Sequence, residues 1–168
     1  MRVILLFIDG IGLGKNTDDN PLTGTCAVAL KELLQGLPLI GESAGYSGPT
    51  ATLLALDPLL GVPGLPQSAT GQATIFTGYN APRLIGEHLS GFPDYRLRNL
   101  LKEKGLFASL QNKGYKTAFA NAYRPYFFQQ LDQGLPGENY SCSTMVSYYG
   151  GLPFRGVKEL HSGKALYM

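Results

Sequence analysis

The sequence predicts an α/β fold, a mostly parallel sheet flanked by helices with a small cap region, and three observations carry that expectation. Residues 3–8, VILLFI, form an unbroken apolar run closed by Asp9 and Gly10, the pattern of a parallel strand buried on both faces. Short apolar runs then alternate with segments of helical spacing. The 22 glycines and 11 prolines fall largely between those segments and form no low-complexity tract.

Taken in order, residues 3–8 are the first strand, followed by a Gly- and Asp-rich loop over 10–24. A helix is expected over 26–34, ending before Gly36, and a second strand over 50–56. GVPGLPQ, residues 61–67, continues neither element, and 69–77 reads as a helix closed by Gly78. Helices follow at 97–104 and 107–112, then a strand at 116–120. Residues 123–153 are aromatic and turn-rich, give no clear periodicity, and are assigned to the cap. The chemistry divides the chain into residues 1–80, the first part of the core, and residues 81–168, a cap or substrate region with the start of a return to the core.

Bulk properties narrow the function. The 168 residues suit one domain of ordinary size. A net charge of +2, from 14 basic and 12 acidic residues without a basic stripe, argues against a nucleic-acid partner. Asp9 interrupts the first apolar run too early for a signal peptide, and no run approaches the roughly 18 apolar residues of a membrane span. Cys26 and Cys142 form no CxxC pair, which fits a reduced, cytoplasmic setting.

Two segments carry candidate chemistry. In FIDGIGLGK the P-loop pattern fails, because Asp9 stands five residues before Gly14 and Asn16 follows Lys15. The dinucleotide fingerprint fails because glycines 10, 12 and 14 are evenly spaced. What remains is a strand-end carboxylate, Asp9, suited to a metal or to a local Asp-Gly turn. In PQSATGQATIFTG, Ser68 stands at a predicted helix start, where unpaired amides and the helix dipole favour phosphate. The other role for such a serine is an N-cap, worth about 1 kcal/mol. His88 and His161 lack metal-ligand spacing and read as structural or exposed residues.

Together, the Asp-Gly after the first strand and VPGLPQSATGQATIFTG resemble the alkaline phosphatase superfamily over residues 1 to about 80, in particular the metalloenzyme branch of cofactor-independent phosphoglycerate mutase and phosphopentomutase. The resemblance implies an alkaline-phosphatase-like core and metal-dependent phosphoryl transfer on a small phosphomonoester, as a phosphomutase (isomerase) or phosphatase (hydrolase), through a phosphoserine. It implies two divalent ions, Mn²⁺ or Zn²⁺, with Asp9 as a ligand of one. Ser68 is then nucleophile and further ligand of that ion, the backbone around Ala69 supports phosphate, and Thr70 is secondary. The sequence departs from the mutases at Gln67 and Gln72, where they have Asn and His, and this bears on the substrate. Residues 79–165 hold the place of the family's inserted cap, which makes Arg83, Arg96, Arg98 and Arg124 candidates for binding substrate phosphate or carboxylate.

The family's adjacent Asp-His pair is missing, and the aspartates after Ser68, Asp94 and Asp132, have no histidine beside them. The 168 residues are therefore expected to be the N-terminal part of a longer enzyme, inactive alone and able to self-associate through an exposed sheet edge. The contrasting readings are a noncatalytic phosphate- or nucleotide-binding α/β module and an assembly subunit without ligands.

Overall fold

The computed structural model describes residues 2–23, 28–132 and 139–167. The chain separates into two compact units, Met1–Asp57 and Pro58–Met168.

In the first unit, α1 (Val28–Leu33) is the helix expected at 26–34, whose first two positions lie outside the described residues. Gly36 closes it, donating to the Lys31 carbonyl at 2.8 Å from a left-handed conformation, φ +91°. Asn20 organises the preceding loop, its Nδ2 donating to the Lys15 carbonyl and its Oδ1 accepting from the Leu22 amide. Gly41 donates to the Gly14 carbonyl beside a parallel bridge between Gly14 and Ile40. A short hairpin-like turn spans 45–53, with Gly45 donating to Leu53 and Leu53 to Tyr46.

The expected sheet does not form. Among the described residues there is no β-strand, and pairing is confined to four isolated bridges, so the molecule is helix and coil and not a parallel-sheet α/β core. The runs at 3–8 and 50–56 are largely exposed, with Ile4 at 92% and Leu56 at 83%, and only Thr52 enters a bridge, with Ser47. The run at 116–120 is unpaired as a strand, and the parallel bridges Asn121 to Leu166 and Ala122 to Arg155 fall just beyond it. The physical reason is that a strand apolar on both faces records a demand for neighbours. None of the described segments lies alongside these runs as a strand.

The second unit is helical. α2 (Ser68–Thr77) matches the helix expected at 69–77, and Gly78 closes it at φ +75°. α3 (Ala81–Ile85), α4 (Tyr95–Lys104) and α5 (Leu106–Gln111) follow, the last two within a residue or two of their predicted bounds. The unread aromatic stretch contains α6 (Pro125–Asp132) and α7 (Cys142–Tyr149), and α8 (Val157–His161) comes last. Asn80, Asp94 and Ser141 cap α3, α4 and α7, accepting from the amides of Arg83, Leu97 and Thr144.

The core joins one face each of α2, α4 and α7: Ala69, Ala73 and Phe76 against Leu97, Leu100, Leu101, Met145 and Val146. Beside it Tyr123 stacks on Phe127, with ring centroids 4.0 Å apart, and Phe154 meets both rings edge-on. Gly105 joins α4 to α5 where a Cβ would run into the Leu101 carbonyl and come within 2.8 Å of Val146 Cγ2. Its φ of −60° suits any residue, so space alone demands glycine there. Gly105→Ala is expected to cost about 1–3 kcal/mol by overpacking. Urea unfolding followed by circular dichroism checks this, and an unchanged midpoint would mean that α4 and α7 are not held this close.

Candidate functional site

Ser68 begins α2 because the chain before it cannot be helical. Leu60, Gly61 and Gly64 all have positive φ, and the prolines at 63 and 66 interrupt backbone donation. The second unit fastens this loop at two points. Asn80 Nδ2 donates to the Leu60 carbonyl at 2.8 Å, and His88 Nε2 lies 3.1 Å from the Val62 carbonyl. With a carbonyl as partner, Nε2 must carry the proton. His88 thereby helps to hold the loop that leads to Ser68.

Gln67 takes the N-cap position, with extended backbone and no side-chain capping bond, and Ser68 is the first helical residue. The Ala69 and Thr70 amides both donate to the Leu89 carbonyl, at 3.1 and 3.3 Å, and the Gly71 amide donates to Gln67. Two amides that would otherwise face an anion are therefore engaged, including that of Ala69, the residue expected to support phosphate. The Thr70 hydroxyl donates to the Gln67 carbonyl from a fully buried position, whereas Ser68 is half-buried. Gln72 is buried in the same helix.

Asp9 lies in the first unit, exposed, and its Oδ1 accepts from the Gly10 amide at 3.0 Å, the local turn that an Asp-Gly pair favours. Among the described residues no three of His, Cys, Asp and Glu come together as a metal-ligating group. A two-metal centre is not completed by them.

Arg96 is committed: Nε pairs with Asp94 and Nη2 with Glu87, both at 2.7 Å, while Nη1 donates to the Ile85 carbonyl. Arg98 Nε donates to the Pro93 carbonyl, and its charge bears on Cys142 and Tyr149. Arg83 and Arg124 are exposed. Cys142 donates from Sγ to the Ala69 carbonyl, and burial pushes its thiol up to about 12, an effect that the Ala73 amide and Arg98 only partly offset. A chain of hydroxyls, Tyr123 to Thr144 to Ser141, holds the start of α7.

Sequence reasoning missed the Asn80 and Asp94 caps and the Leu89 carbonyl. Asn80 ahead of Ala81-Pro82 and Asp94 ahead of a helical run are readable signals. The Leu89 contact has no local signal, because its partners lie about twenty residues upstream. Comparison with protein-family models, curated proteins and solved structures found no match.

Asp94 ties cap and ion pair together. Burial raises its pKa, but the Leu97 amide and Arg96 outweigh that and hold the carboxyl below the ordinary range. A depressed carboxylate stabilises the fold above its unfolded value and loses that contribution as pH falls through the folded value. Asp94→Asn keeps a capping oxygen without the charge. Its stability deficit relative to wild type should be full near pH 7 and fade below about pH 4, read by thermal melts across pH. A deficit independent of pH would assign the effect to packing.

Proposed function

We propose that this chain provides the phosphoryl-accepting serine, Ser68, of a metal-dependent enzyme acting on small phosphomonoesters, a phosphomutase or phosphatase. The observation that carries this reading is the position of Ser68. It is the first residue of α2, half-buried, while Gln67 holds the cap position and the Thr70 hydroxyl is sealed inside. The residues around it are those that resemble the alkaline phosphatase superfamily.

In the proposed step a bond forms between Ser68 Oγ and phosphorus, the ester P–O bond breaks, and the hydroxyl proton ends on the departing oxygen. The phosphoserine then passes its phosphoryl group to water or to a second hydroxyl, and that acceptor alone separates hydrolase from mutase. By the same resemblance Asp9 is one ligand of a divalent ion, Mn²⁺ or Zn²⁺. The described residues do not complete a ligand set, so further ligands are required and no step is assigned to the metal. Noncatalytic phosphate binding would rest on the first amides of α2, two of which already donate to Leu89, which favours chemistry at the hydroxyl. No described helix is long and apolar enough to cross a membrane. A cytoplasmic site, with Cys142 as a free thiol, belongs to the same reading.

The test compares this chain with a form extended by any downstream coding sequence, each supplied with Mn²⁺ and p-nitrophenyl phosphate. Tryptic mass spectrometry is expected to place phosphate on Ser68 in the form that turns over, and Ser68→Ala should be folded but without turnover. Asp9→Ala should bind less Mn²⁺. Phosphate on Thr70, or wild-type turnover by Ser68→Ala, would overturn the assignment.

A further inference from the structure

Within the second unit, three chain segments that the functional reading leaves unused enclose a cleft of about 220 Å³, lined by Ala120, Arg155 and residues 163–166. Backbone hydrogen bonds fix its frame. The Ala122 amide donates to the Leu166 carbonyl at 2.9 Å, the Leu166 amide to the Ala120 carbonyl at 2.8 Å, and the Tyr123 amide to the Arg155 carbonyl at 2.8 Å. Two of the lining side chains are cationic, Arg155 and Lys164, and none is acidic. Arg155 is half-buried, and its Nη1 donates to the Lys164 carbonyl, which anchors the guanidinium within the cleft. Among the described residues its Nε and Nη2 have no hydrogen-bond partner, and neither Arg155 nor Lys164 forms an ion pair.

The neighbouring carboxylate is already engaged. Glu159 Oε2 accepts from the Gly156 amide at 2.9 Å, the main reason its carboxyl lies below the ordinary range, and Lys158 and Lys164 lower it further from a distance. Ala165 adds a donor: it is buried, and its amide donates to no described residue. A cation would meet two like charges in this cleft, and an apolar ligand would desolvate both without compensation. A carboxylate would neutralise one of them, whereas a phosphate dianion neutralises both. With Nη1 held by the Lys164 carbonyl, the edge of the guanidinium formed by Nε and Nη2 is the one left to meet two oxygens of a tetrahedral anion.

We propose that this cleft binds a phosphate dianion, free or as the head of a small phosphate ester, with Arg155 contributing a bidentate contact and Lys164 the second charge. The test is isothermal titration calorimetry of the Ser68→Ala chain in chelator, so that the result is independent of phosphoryl transfer and of any metal. Inorganic phosphate and glycerol 2-phosphate are titrated separately, and the tighter of the two tells free phosphate from an ester. Saturable binding of one phosphate per chain is expected, with acetate weaker. Lys164→Gln should weaken phosphate binding about tenfold or more, the loss of one charge-assisted hydrogen bond. Arg155→Lys, which keeps the charge and removes the fork, should weaken it as well, whereas Lys113→Gln, outside the cleft lining, should not. Circular dichroism checks the fold of each variant, and Lys164→Gln decides alone if Arg155→Lys fails to fold. No saturable binding, wild-type affinity in Lys164→Gln, or acetate bound as tightly as phosphate would overturn the proposal.

Discussion

The second unit depends on how closely α2 can approach α4 and α7, and that distance is set by alanine. Ala69 and Ala73 are fully buried on the face that meets Leu97, Leu101, Met145 and Val146, so leucine and methionine side chains lie directly on the α2 backbone. The approach is close enough for the Cys142 thiol to reach the Ala69 carbonyl across the interface. Small residues on one helix and large ones on its neighbours interdigitate at the density of protein interiors. They also fix the rotation of α2 about its axis: with Ala69, Thr70 and Ala73 facing inward, Ser68 is left on the rim.

That rim position is reinforced from outside the helix. The Leu89 carbonyl closes the amides of Ala69 and Thr70, and Asn80 and His88 hold the glycine- and proline-rich loop that delivers the chain to Ser68. Chemistry at a serine requires the oxygen to be placed in advance of its substrate. Here placement comes from three contacts contributed by residues 80–89, a short segment following α2, so the candidate nucleophile and its supports are local to one another in sequence. The arginines differ in this respect. Arg96 is drawn into ion pairs with Asp94 and Glu87 at the start of α4.

What could be read from the sequence followed the range of the interactions. Helices α2, α4 and α5 announced themselves because their hydrogen bonds and terminators, Gly78 and Gly114 among them, are local. The strands were over-read for the opposite reason. VILLFI carries the composition of a buried strand, but a strand is completed only by residues elsewhere, and none of the described residues pairs with it as one. Helices α6 and α7 escaped notice because tyrosine, phenylalanine and serine blur the helical period, and their position is held by aromatic stacking and hydroxyl bonding. Of the candidate site, the helix start at Ser68 was legible from its glycine and proline surroundings, whereas the engagement of the Ala69 amide depends on a carbonyl that no local pattern marks.

The thiol of Cys142 gives this architecture a clock. Held protonated by burial and covered by the Ala69 carbonyl, it meets a reagent only when α7 lifts away from α2. The rate at which the sulfur is modified in the native protein therefore counts openings of the interface on which the placement of Ser68 depends.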